Sequence, residues 1–196
     1  MVLESVLLSI DRGFIKNVNP KIIISTVPPP VNLKTTSEKL GIAIHVISNS
    51  INNSNRLEYD EKIIKILQEN MVVPNTGLIC LIGYRRILTP FFVKRYWMRI
   101  MNVHPSLLPS FPGLFAHRQA IEHAVKVTGI TIHFVNEKID EGPIIAQSCV
   151  SLIDEDTEES LLLKLLEKAC DLYPLCINLF SEEKLRICGR KVLIYK

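Results

Sequence analysis

"RIMNVHPSLLPSFPGLFAHRQA", residues 99–120, decides how this chain is read. Its first six residues form a short strand-like run. Pro105 stops that run, because proline has no backbone N–H to donate. Residues two apart in a strand point to the same side. Asn102 and His104 therefore share one face at the strand's carboxyl end. Pro105, Pro109 and Pro112 stiffen the exit loop, so little freedom remains to be lost when a ligand binds.

Outward from this stretch, apolar runs alternate with helical patterns. "KIIISTV" reads as a buried strand ended by Pro28, Pro29 and Pro30, and "AIHVI", "GLICLIG" and "TGITIHFV" read as further strands. "LESVLLSIDRGFI" has Leu3, Val6, Leu7 and Ile10 at helical spacing. "LKTTSEKLGI" predicts a short helix ending near Gly41. "RLEYDEKIIKILQEN" predicts an amphipathic helix with Tyr59, Ile63, Ile66 and Leu67 on one face. Residues 48–55 read as a polar loop. The longest helix follows "DEDTEE", with Asp156 as its cap, Glu159 completing a capping box, and Pro174 kinking or restarting it. "KLRICGRKVLIY" reads as a closing hairpin. Strands separated by helices predict an α/β fold, a mostly parallel sheet with helices on both faces. Ligands of such sheets bind beyond the carboxyl ends of the strands, where Asn102 and His104 stand.

The 196 residues suffice for one domain, and 47% apolar content excludes a disordered chain. A net charge of +3, spread along the chain, argues against nucleic acid or a membrane surface as partner. An anionic small molecule is compatible with it. No apolar run reaches the roughly 20 residues of a membrane span, and no signal peptide is read at the start. Five cysteines without a C-x-x-C pair predict reduced thiols in the cytoplasm.

A second polar candidate is "NEKIDEGPII". Asp140 precedes a Glu-Gly-Pro turn between two strands. If those strand ends lie side by side, Asp140 reaches His104, and a carboxylate beside an imidazole favours its charged form. An amide that donates to an oxyanion, a His that moves protons and an Asp that orients it make an acyl-transfer set. Each residue alone also has a structural reading: Asn102 and Asp140 as turn residues, His104 as a strand-end histidine, Arg85-Arg86 as a solvated basic corner. A metal site of His104, His117 and His133 is a further reading, but their spacing matches no ligand pattern.

Residues 83–147, from "GYRRIL" through "NVHPSLLPSFPGL", "HRQA" and "DEGP", resemble the glycinamide ribonucleotide formyltransferase family. "DEDTEESLLLKLLEKACDLYP" continues the likeness, which covers most of the chain as a single formyltransferase-like domain, residues 1–196. The resemblance implies a Rossmann-like formyltransferase fold. It implies formyl transfer from 10-formyltetrahydrofolate to the amine of glycinamide ribonucleotide, in purine synthesis. Asn102 matches the residue that polarises the formyl oxygen, His104 the acid/base catalyst, and Asp140 the carboxylate that tunes it. Arg85, Arg86, Ile87 and Leu88 match the strand end that holds the folate pterin, and Arg56 an arginine at the folate.

Departures from the family pattern fall mainly on the acceptor side. The family begins with a strand and a Gly/Ser-rich phosphate loop, whereas this sequence opens inside the following helix. A sheet lacking that first strand is expected to expose an edge near its centre, through which copies could pair as a homodimer. Ala169 and Cys170 stand where the family usually has Glu-His, Arg85 where Met is common, and "TVPPPVN" replaces a Ser-Asn segment. These departures leave open a related folate-dependent enzyme with another acceptor, water included, and a relative that binds folate without turnover.

Overall fold

The β-branched run Ile22–Ser25 forms β1 and pairs in parallel with β2, Ala43–Val46. Pro30 ends the intervening proline tract and leads into α2, Val31–Lys39. The computed structural model describes residues 1–47 and 56–195; the expected polar loop at 48–55 lies outside the described residues. Ahead of β1 runs α1, Val2–Asp11, which buries Val2, Val6 and Leu7.

A second sheet holds the remaining strands. It contains β3 (Ile79–Leu81), β4 (Ile100–His104), β5 (Val127–Phe134), β6 (Ile144–Ser151), β7 (Leu185–Cys188) and β8 (Lys191–Ile194), in the order β3-β4-β5-β6-β8-β7. The helices are α3 (Arg56–Glu69), α4 (Pro90–Arg95), α5 (Ala116–Glu122) and α6 (Glu158–Ser181). The expected parallel pairing holds for β1 with β2, β3 with β4, and β6 with β8. β5 runs antiparallel to both of its neighbours, β4 and β6. For β5 and β6 the reason is the Asp-Glu-Gly-Pro turn between them: a short loop reverses the chain, whereas a parallel return needs a long crossover. The closing hairpin, β7 with β8, is as expected.

Period-two alternation sorts the strands between two helical layers. Met101, Ile130, Ile132 and Phe134 pack with α1 and α6 in one apolar cluster. Ile100 packs on the opposite face with Tyr59 and Ile63 of α3 and Phe92 and Val93 of α4. Asn102 and His104 have the parity of Ile100, so they continue the α3/α4 face beyond its apolar part.

Two expectations for α6 are corrected. Its cap is Thr157, not Asp156: Thr157 Oγ1 accepts from Ser160 N at 3.2 Å, and Ser160 Oγ accepts from Thr157 N at 3.0 Å. Asp156 is drawn away by stronger partners, accepting from Lys164 Nζ at 2.7 Å and from Ile153 N at 3.0 Å. The helix also runs unbroken across Pro174. Proline there forgoes one backbone hydrogen bond, but Tyr173, Cys176 and Ile177 beside it are buried. The Tyr173 hydroxyl also donates to the carbonyl of Met101 at 2.8 Å, so tertiary packing overrides the local preference.

Candidate active site

β4 delivers Asn102 and His104 to the α3/α4 face, and the loop after it is bolted down behind them. Thr131 of β5 is the bolt. Its hydroxyl donates to the Ser106 carbonyl at 2.7 Å and accepts from Leu108 N at 3.0 Å and Gln147 Nε2 at 2.9 Å. Gln147 also donates to the Leu108 carbonyl at 2.9 Å. The loop carries Phe111 at φ 52°, and its carbonyl receives His104 Nε2 at 2.8 Å. A carbonyl only accepts, so Nε2 of His104 carries a proton.

The other ring nitrogen, Nδ1, faces Oδ2 of Asp140 at 3.3 Å. The strand ends do lie side by side, as the sequence reading required. Asp140 adopts the left-handed conformation, φ 54°, a backbone state that costs energy outside glycine and collects at functional sites. Two contacts hold it. Gly113 N donates to Oδ2 at 2.7 Å. Gly142, two residues on, lies so close to Phe134 that a Cβ there would sit 1.7 Å from its carbonyl oxygen. His104 and the Asp140 side chain are only 4% and 12% exposed, so their interaction is weakly screened.

His133 completes the cluster; the sequence reading weighed it only as a metal ligand. It is the register partner of Asn102 across β4 and β5, as Thr131 is of His104. Nδ1 of His133 donates to the Phe134 carbonyl at 2.9 Å, leaving the Nε2 lone pair to accept from Asn102 Nδ2 at 3.2 Å. Burial holds this imidazole below its usual pKa, and His104 adds to that; the Phe134 carbonyl and Asp140 oppose it. A neutral His133 thus fixes the Asn102 amide with one N–H engaged and the second free to donate. The missed signal was parity: Thr131 and His133 alternate with Ile130 and Ile132 along β5.

The four residues from Arg85 to Leu88 lie between β3, whose Leu81 pairs with Asn102, and Thr89 at the head of α4. Asp60, 2% exposed, anchors this strip by accepting from Thr89 N and Oγ1, both at 2.7 Å. The Arg86 guanidinium lies 4.0 Å over the Tyr59 ring, and its Nη2 is buried with no hydrogen-bond partner among the described residues. A buried donor left open on the α3/α4 side suits an anionic or carbonyl-rich ligand. Arg85 is exposed, Ile87 is half-exposed and Leu88 packs against the α3/α4 cluster. Arg56 is exposed at the start of α3, one turn before Tyr59. The structure therefore brings Asn102, His104 and Asp140 into one cluster. Arg56 stands outside that cluster. Ala169 is buried in the α1/α6 core and Cys170 packs against it.

The family model described as formyl transferase matches residues 7–177. Phosphoribosylglycinamide formyltransferase of Escherichia coli is 36% identical over 77% of this chain and 69% of its own length. The Haemophilus influenzae protein of the same name is 43% identical over 69% of this chain and 62% of its own. This chain thus spans about two thirds of those relatives. Among solved structures, glycinamide ribonucleotide transformylase 1 of Symbiobacterium toebii superposes with a TM-score of 0.88. It is 36% identical, and the match covers 99% of this chain and 88% of that one. The chain belongs to the formyl transferase family, among its phosphoribosylglycinamide formyltransferases.

Proposed function

We propose that this protein transfers a formyl group from 10-formyltetrahydrofolate to the amine of glycinamide ribonucleotide, acting as one formyltransferase domain. The observation that carries the proposal is the convergence of the Asn102 amide, the His104 imidazole and the Asp140 carboxylate at the end of β4. The folate supplies an activated formyl carbonyl. The free N–H of Asn102 donates to that carbonyl's oxygen as negative charge develops on it, a contribution of about 10²–10³ in rate. His104 accepts and returns the proton that the attacking amine must lose, worth about 10²–10⁴. Asp140 positions the ring through its contact with Nδ1. Arg86 and the 85–88 backbone hold the donor, with Arg56 available to its anionic tail. Five cysteines, none of them in a disulfide, support a reducing, cytoplasmic setting.

The test is formyl transfer measured with and without added glycinamide ribonucleotide. Turnover that depends on the ribonucleotide is expected. Equal consumption of the folate without it would mean that water is the acceptor. His104→Ala should retain folate binding and lose transfer; full activity in that variant would remove His104 from the mechanism.

A further inference from the structure

Residues 111–115 face the His104/Asp140 pair, and Phe111, Gly113 and Phe115 among them have left-handed backbones, at φ 52°, 84° and 60°. Glycine adopts that state freely, but two phenylalanines there carry backbone strain that surrounding contacts must offset. The segment presents two polar groups to the pair. The Phe111 carbonyl receives His104 Nε2 at 2.8 Å, and the Gly113 N–H donates to Asp140 Oδ2 at 2.7 Å. Upstream, the segment is tied by the Ser106 hydroxyl, which donates to the Ser110 carbonyl. Downstream, α5 reaches back to it with three side chains. Gln119 Nε2 donates to the Leu114 carbonyl at 3.1 Å, and the Arg118 guanidinium lies 5.2 Å from the centre of the Phe115 ring. The His123 ring meets the Phe111 ring at 5.3 Å, tilted by 53°.

We propose that His123 is a positioning residue for formyl transfer: by clamping the Phe111 ring it fixes the carbonyl that aims His104. This rests on His104 being the proton-transfer group of the proposed reaction. Three observations single out His123 among the α5 contacts. First, it touches Phe111 itself, whose carbonyl holds the His104 ring, whereas Gln119 and Arg118 act on Leu114 and Phe115. Second, the His123 ring is not free to swing. Its Nδ1 donates to the Gln119 carbonyl one turn back at 2.9 Å, which keeps the side chain in the orientation that meets Phe111. Third, Phe111 also packs against the α1/α6 apolar cluster, so its ring is held from the core and from His123 together. Tilted aromatic pairs are favourable beyond the area they bury. A histidine that merely finishes α5 would leave His104 unaffected, and that difference is measurable.

The experiment uses the full chain with His123→Ala, His123→Asn and His123→Phe. Asparagine keeps a donor for the Gln119 carbonyl but no ring; phenylalanine keeps the ring but no donor. His123 is exposed, and the Gln119 carbonyl also accepts from the His123 backbone N–H at 2.9 Å. All three variants are therefore expected to fold, with Tm within about 3 °C of the parent. Two quantities are read: kcat and KM for ribonucleotide-dependent transfer, and the nitrogen-edited NMR signal of the His104 Nε2 proton in the ligand-free protein. His123→Ala and His123→Asn should lower kcat about three- to tenfold, with KM for the folate unchanged within about twofold. They should also broaden that proton or let it exchange away. His123→Phe should retain the signal and keep kcat within about twofold of the parent. Parental kcat in His123→Ala overturns the proposal. So does a parental His123→Asn beside an impaired His123→Phe, or a His104 signal that is the same in all four proteins. If the parent shows no ribonucleotide-dependent transfer, the proposed function fails, and the NMR comparison alone decides whether His123 holds the ring.

Discussion

Replacing Thr131 by Val tests whether the loop behind His104 is held by one hydroxyl. Valine keeps the shape and β-branching of threonine but removes a group that makes three hydrogen bonds. Thr131 is 0% exposed and Leu108 is 4% exposed, so water cannot replace what is lost. The Leu108 N–H is left buried and unpaired, at about 1–3 kcal/mol. The Ser106 carbonyl loses one donor, at about 0.5–1.5 kcal/mol, while Gln147 keeps the Leu108 carbonyl as a partner. The sum is about 1.5–4.5 kcal/mol of stability, readable as a shift in the urea midpoint at constant m-value. The loop also carries the Phe111 carbonyl that receives His104 Nε2, so a displaced loop releases the ring. A misplacement of about 1 Å costs about 10²-fold in rate, so kcat should fall ten- to hundredfold with KM for the folate little changed. Thr131→Ser retains the hydroxyl and should stay within about 1 kcal/mol of the parent. A loss below 1 kcal/mol in Thr131→Val, with normal kcat, would refute the claim that this hydroxyl holds the loop.

Three further outcomes follow from the geometry. In a double-mutant cycle on kcat/KM, Asn102→Ala and His133→Ala should couple by about 0.5–3 kcal/mol, because His133 acts by orienting the amide; strict additivity would separate the two residues. Arg86→Met should raise KM for 10-formyltetrahydrofolate about tenfold or more, from loss of a charge-assisted hydrogen bond, while unchanged KM would place the guanidinium outside the donor site. Asp156 is held down to about 2, chiefly by the Lys164 ammonium with help from Ile153 N and Ser160. A depressed carboxylate stabilises the fold above its unfolded pKa, so this contribution is whole above about 3.8 and is lost as pH falls from there toward about 2. Acid unfolding curves of the wild type and Asp156→Asn should therefore converge at low pH; curves that stay parallel would contradict the assignment.

Residues 99–120 show how far local rules reach. The strand, its stop at Pro105 and the shared face of Asn102 and His104 depend on neighbours in sequence, and the structure reproduces all three. The Asp140 turn is local too, which is why its place at a strand end was readable. Motif resemblance carried the rest of the site list, including the 85–88 strip.

What the amino-acid order determined by itself was thus the period, stops and turns of each segment, along with the family they spell out. Tertiary structure alone decided which segments became neighbours. His133 joins Asn102 across 31 residues, and the Tyr173 hydroxyl reaches the Met101 carbonyl across 72. Asp156 abandons the cap when Lys164 offers a stronger partner, and Pro174 is tolerated because its surroundings are packed. The direction of β5 relative to β4 likewise arises from pairing between distant strands. The physical reason is common to all of them. Periodicity and backbone restriction act within a few residues, whereas register, burial and competition for hydrogen bonds are set by groups that meet only once the chain has packed.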